Sequence, residues 1–101
     1  MVIKGLEAIK QNSEEGDSHK NGEICYIIAQ LDNDLLKRDE IFYFVLYEND
    51  NLNLPIGTLD YKLRRTGEVK EINLNIEQET YMNNINTYMN NINNKIKLKW
   101  N

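Results

Sequence analysis

The stretch Glu40–Asp50, EIFYFVLYEND, decides how the rest of this chain is read. Seven consecutive residues, Ile41 to Tyr47, are apolar or aromatic, and charged residues close both ends. A run of that length, dominated by β-branched and aromatic types, predicts a strand buried on both faces. Alternation sends Phe42, Phe44 and Leu46 to one face and Ile41, Tyr43, Val45 and Tyr47 to the other. Such a strand lies mid-sheet, so its neighbours in sequence are expected to pair with it.

Working outward, Ile24–Asp32, ICYIIAQLD, is a second apolar run and the expected partner. The connection at 33–39, NDLLKRD, is too polar for a strand; it reads as a helical turn or wide loop, with Leu35 and Leu36 folding back on the core edge. Asn49, Asp50, Asn51 and Asn53 form a polar turn, so the next strand should run antiparallel. That strand starts after Pro55, which suits a strand start or sheet edge, with Leu59, Tyr61 and Leu63 inward. Arg65, Thr66 and Gly67 read as a tight hairpin, followed by a strand with Ile72, Leu74 and Ile76 inward. At the N-terminus, Val2, Ile3, Leu6, Ile9 and Lys10 have spacings suited to one face of a short amphipathic helix, an edge strand being the other reading. Residues 12–23, with two glycines and no periodicity, read as a surface loop.

The period changes after Ile76. Residues 80–86 and 87–93 are the same heptapeptide, TYMNNIN, written twice. Tyr81, Ile85, Tyr88, Ile92 and Ile96 are spaced 4, 3, 4 and 4 apart, which predicts a helix with one apolar face beside Met82 and Met89. Its polar face is nearly all asparagine, a poor helix former, so packing must hold it. Glu77 and Glu79 suit its N-terminal end through the helix dipole. Two heptads are too few for a coiled coil. The repeat reads as a duplication that kept the helical phase, or as a dimer seam of Tyr81, Ile85, Tyr88, Met89 and Ile92. The closing KIKLKWN alternates with period two and reads as a short edge strand guarded by lysines.

These elements predict one α+β domain spanning residues 1–101. It is an antiparallel four- to five-stranded meander sheet with a C-terminal amphipathic helix on one face and a short N-terminal helix. The expected core includes Ile24, Tyr26, Ile28, Phe42, Phe44, Leu46, Leu59, Tyr61, Leu63, Ile72, Leu74, Ile76, Ile85, Ile92 and Trp100.

Composition narrows the function classes. With 41% hydrophobic and 28% charged residues the chain is globular rather than disordered. No apolar run approaches the roughly 20 residues of a membrane helix, and MVIKGLEAIK is too charged for a signal peptide. A cytoplasmic location, that of the host cell if the gene is phage-borne, is the expectation. The single Cys25, in an apolar strand, reads as a buried structural thiol.

Charge is unevenly placed: residues 21–60 hold eight acids against two bases, a balance of −6, while residues 61–101 hold seven bases against four acids, +3. An acidic chain, −4 overall, is poorly suited to gripping a phosphate backbone, so no direct nucleic-acid binding is expected. Abundant Asn, Ile and Lys point to AT-rich coding, as in a low-GC bacterium or a mobile element.

No catalytic signature stands out. The one histidine, His19, lies in the 12–23 loop, and burial would blunt Cys25. Glu14, Glu15, Asp17, His19 and Glu23 match neither an EF-hand nor a zinc motif. None of the five glycines opens a helix after a strand, as a phosphate cradle requires. No catalytic residue, metal or cofactor is therefore expected. The order of elements, a helix, strands through IFYFVLYEND, IGTLDYKL and EVKEINLNI, then a helix and KIKLKW, is similar to the front half of the GNAT acetyltransferases. That family carries a glycine-rich R/Q-x-x-G-x-G/A turn that holds acetyl-CoA pyrophosphate. The corresponding Glu77–Asn83, EQETYMN, has neither glycine nor arginine, so the resemblance implies element order and no activity.

What remains is binding. The expected function is a small acidic non-enzymatic inhibitor or adaptor, anti-CRISPR-like, docking on a larger basic nucleic-acid-handling protein of the host. Asp32, Asp34, Asp39, Glu40, Glu48 and Asp50 are the expected partner-binding acids. Self-association through the helix, in a structural or immunity-type protein, is the alternative, and a degenerate GNAT-like enzyme the minor one.

Overall fold

The computed structural model describes residues 1–32, 40–49, 54–94 and 96–101. The architecture is α+β: among the described residues, a six-stranded sheet, antiparallel in every pairing, with one α-helix near the C-terminus. In chain order the elements are β1 Val2–Lys10, β2 Ile24–Asp32, β3 Phe42–Tyr47, β4 Ile56–Leu59, β5 Leu63–Asn73, α1 Ile76–Ile92 and β6 Lys97–Trp100. The strands lie side by side as β4-β3-β2-β1-β5. Leu35, Leu36, Asp34, Asp39, Asp50, Asn51, Asn53 and Lys95 fall outside the described residues, as do the connection at 33–39 and most of the polar turn around residue 50.

β3 sits between β2 and β4, and its alternation divides the core in two. Phe44 and Leu46 join Ile3, Ile28, Ala29, Leu74 and Met82 in one cluster, with Phe42 packed against it. Tyr43, Val45 and Tyr47 join Ala8, Cys25, Ile27 and Leu63 on the other face, with Ile41 beside them. Each face of one six-residue strand therefore supplies a separate core. Helix α1 covers the first; the second lies inside the curl of the sheet.

That curl follows from one short connection. β4 and β5 are the two ends of the strand order, four interstrand gaps apart, or about 19 Å in a flat sheet. Yet a single 3₁₀ turn, Asp60–Lys62, joins them, and at ~2 Å per residue it reaches less than about 10 Å. The sheet must roll until its edges approach. Arg65 of β5 accordingly reaches Tyr43 of β3, donating to its hydroxyl with the guanidinium 5.1 Å from the ring centre. Flat, those strands would be about 14 Å apart.

Three irregularities permit the roll. Between Leu6↔Val69 and Ala8↔Arg65, β5 carries two extra residues, a bulge around Gly67, whose φ of 89° suits glycine. Thr66 closes the bulge by donating to the Glu7 carboxylate at 2.9 Å. A second bulge, at Ile28 of β2, marks a change of partner: Ile24–Ile27 pair with β1, whereas Ala29–Asp32 pair with β6. Gly5 sits where β1 parts from β2, and a Cβ there would run into Ile72 and approach Tyr26 Cβ at 3.0 Å.

Four expectations need correction. The N-terminal segment is a strand, not a helix, and it is central rather than edge. Burial passes from Ile3, under the helix, to Leu6, Ala8 and Lys10 on the other face, leaving apolar residues three apart and imitating a helical period. The Arg65–Gly67 hairpin is instead the bulge inside one continuous strand, Leu63–Asn73, so the turn residues serve a bulge rather than a reversal. The reversal happens earlier, at Asp60–Lys62, which exposes Tyr61 (40%) instead of burying it. The helix begins at Ile76, with Asn75 and Gln78 forming a reciprocal capping box at 2.8 and 2.9 Å, so Ile76 lies outside at 80% exposure.

The helix is also turned from its expected phase. Gln78 and Met82 are buried and Ile85 packs on the core, whereas Tyr81, Tyr88 and Ile92 stay exposed. The buried direction lies about 80° around the helix axis from the Tyr81–Tyr88 direction. A flexible thioether fills the gap under Phe44 and Leu74, and the tyrosine hydroxyls stay wet. Met82→Ala should therefore cost about 2–5 kcal/mol in chemical denaturation, whereas Ile92→Ala in dilute solution stays within about 0.5 kcal/mol. The reverse order would mean the helix docks through its tyrosine face.

Candidate functional site

Rolling the sheet creates two mouths, one beneath the 11–23 segment and one beside the 3₁₀ turn. The first is a cavity of about 230 Å³ lined on one side by Lys10, Asp17, His19, Tyr47 and Lys62, and on the other by Phe42 and Ile56–Leu59. Lys10 ends β1 on the face shared with Leu6 and Ala8, so alternation turns it inward, and it is only 4% exposed. Lys62 comes from the 3₁₀ turn, delivered to the same place by the closure. The segment between β1 and β2 supplies Asp17, and both ammonium groups donate to it: Lys10 at 3.1 Å, Lys62 at 2.8 and 2.9 Å. Asp17 also accepts from the Glu14 backbone N–H at 3.0 Å.

Electrostatics follow the contacts. The Lys62 ammonium, the Glu14 amide and Lys10 hold the Asp17 carboxyl well below the usual carboxylate range. The same bond raises Lys62. Two residues on, the His19 ring stacks on Tyr47, centroids 3.5 Å apart and planes within 5°, while Ser18 Oγ and His19 Nδ1 are 3.0 Å apart. Beneath Tyr47 lies Cys25, whose thiol donates to the Ala8 carbonyl at 3.7 Å and is pushed up to about 12 by burial. Burial likewise raises the Tyr47 phenol. A thiol held that high stays protonated at neutral pH, and Asp17 is engaged by two cations. The arrangement clamps the 11–23 segment over the open end of the roll.

The second mouth, about 410 Å³, is lined by Gln30, Ile41, Tyr43, Asp60, Leu63 and Arg65. Burial, then a hydrogen bond with Asp60, raises the Tyr43 phenol, with Arg65 opposing. Among the described residues no group of three or more His, Cys, Asp or Glu side chains is placed to hold a metal ion.

The structure divides the expected partner-binding acids. Asp32 ends β2 in register with Lys97 of β6, and Glu40 just precedes β3 at the same end of the β2–β3 pair. Glu48 follows β3 at the opposite end, where its backbone N–H donates to the Ile24 carbonyl at 3.1 Å. Seven residues, six of them β3, separate the two glutamates, so they stand at most roughly 26 Å apart. Both are exposed. Of the expected seam, Tyr81, Tyr88 and Ile92 share an outward line at 41%, 63% and 60% exposure, with Ile85 and Met89 between that line and the core.

Sequence reasoning missed the Lys10–Asp17–Lys62 clamp, whose partners are 7 and 45 residues apart. The available signal was a lysine at a strand position that alternation turns inward. No helix among the described residues is long and apolar enough to cross a membrane. Comparison with protein-family models, curated proteins and solved structures finds no match to this chain.

The clamp sets a pH dependence. Because the folded state lowers the Asp17 carboxyl, its contribution is complete above the ordinary carboxylate value near ~3.9 and fades as pH falls from there toward the folded value. Asp17→Asn should lower Tm at pH 7, with the gap from the unmutated protein closing between about pH 4 and pH 2. A gap independent of pH would show that the carboxylate charge is not what holds the segment.

Proposed function

We propose that this protein acts by binding, as a small non-enzymatic inhibitor or adaptor that docks its acidic side on a larger, basic partner. A host protein that handles nucleic acid, of the kind mobile elements disarm, fits that chemistry. The observation that carries this reading is where the fold places its acids. The segment at 21–60, with its balance of −6, supplies the adjacent strands β2, β3 and β4 and their connections. Of the bases in 61–101, Arg65 of β5 meets Tyr43 of β3 and Lys97 and Lys99 of β6 lie opposite β2, while Arg64 and Lys70 lie elsewhere on β5. The acids thus gather at the ends of neighbouring strands, and that local acidity favours diffusional encounter with a basic surface. With Glu40 and Glu48 at opposite ends of β3, the footprint is elongated along that strand rather than a single acidic knob.

Neutralising Asp32, Asp34, Asp39, Glu40, Glu48 and Asp50 together, as Asn or Gln, is the test. Exposed ion pairs contribute about 0.2–1 kcal/mol each, so capture of a partner from a low-GC host lysate should weaken at least about tenfold. Binding should also weaken with added salt, and Arg64→Gln should leave it unchanged. A captured partner that is acidic, or that binds the neutralised variant equally well, overturns the proposal. Acetyl-CoA at millimolar concentration should give no thermal shift; stabilisation would favour a GNAT-like enzyme instead.

A further inference from the structure

Helix α1 carries no charged residue from Thr80 to its end at Ile92, in a chain with 28% charged residues. Solvated helix faces are ordinarily charged; this one offers asparagine and a line of exposed Tyr81, Tyr88 and Ile92, with half-buried Ile85 beside it. We infer that a second copy of this chain packs antiparallel against that line, making the protein a two-fold dimer joined through α1.

Three features select this occupant. The spacing 81, 85, 88 and 92 alternates four and three, the repeat that keeps a stripe facing a partner helix. In an antiparallel pairing with residue numbers summing to 173, Tyr81 of one copy faces Ile92 of the other, and Ile85 faces Tyr88. Every layer then sets a ring against a branched aliphatic, whereas a parallel pair would set ring on ring.

Charge points the same way. An antiparallel pair keeps the two acidic first turns, with Glu77 and Glu79, at opposite ends of the seam and opposes the two helix dipoles. A parallel pair would gather both copies' acidic turns together. Across the seam itself, the absence of charge removes any like-charge cost to self-association.

The area suffices for a modest dimer. The three exposed side chains offer on the order of 300 Å² per copy. With flanking Asn84 and Asn91 the pair buries roughly 1,000 Å² in all, the low end for a specific interface. Binding of the acidic side to another protein is independent of this seam, and a dimer would present that side twice.

Sedimentation equilibrium on the full chain should show a monomer–dimer equilibrium with a Kd on the order of 10–100 µM. Tyr88→Glu should raise that Kd at least about tenfold, with the far-UV spectrum and Tm of the dilute protein unchanged. A 1:1 mixture of Tyr81→Cys and Ile92→Cys proteins should form an intermolecular disulfide, while neither protein alone does. A monomer up to about 1 mM overturns the inference. So does a dimer indifferent to Tyr88→Glu, or one in which each cysteine variant cross-links to itself. Loss of partner capture by the acid-neutralised variant, with the sedimentation result unchanged, would bear on the proposed function alone.

Discussion

Everything in this fold leans on a three-residue reversal. Asp60–Lys62 joins the two ends of a five-strand path that would lie some 19 Å apart if flat, so closure is imposed by chain length rather than by attraction between the edges. Once the sheet is rolled, its inner face becomes a core without needing a second layer, and Ala8, Cys25, Ile27, Val45 and Leu63 fill it. The bulges at Gly67 and Ile28 are where the added twist is absorbed. The outer face of the same strands then needs its own cover, and α1 supplies it through Met82.

The closure also makes a polar mouth. Lys10 reaches this point from the end of β1 and Lys62 from the 3₁₀ turn that closes the roll, two ammonium groups in a site only partly wet. Asp17 resolves that repulsion, and so a segment with two glycines and little apolar content is held in one place. His19 stacked on Tyr47 secures the same segment two residues later. The cavity behind them owes its shape to this clamp; Cys25, held on a backbone carbonyl beneath Tyr47, is part of the inner core rather than a reactive group.

Much was legible in sequence wherever burial alone decides. The division of Phe42, Phe44 and Leu46 from Tyr43, Val45 and Tyr47 could be read from alternation, because a strand covered on both sides has only two faces to offer. Local pattern failed where one residue type serves two ends. Thr66–Gly67 has the chemistry of a turn and of a bulge, and β1, changing its buried face midway, has the spacing of a helix. The helix was foreseen but its phase was not, since Tyr81 and Met82 are neighbours and either could have faced the sheet.

The sequence by itself determined that this chain has a two-faced central strand, an uncharged C-terminal helix and an acidic middle beside a basic end. Those are statements about composition and period, and they hold in any packing. Only the tertiary structure decided that Lys10, Asp17 and Lys62 meet, that Glu40 and Glu48 stand apart, and that Tyr81, Tyr88 and Ile92 face outward. Contacts such as Asp17–Lys62, 45 positions apart, and Glu7–Thr66, 59 apart, depend on how far the sheet rolls. That is settled by the fit of distant side chains, a quantity no local window contains.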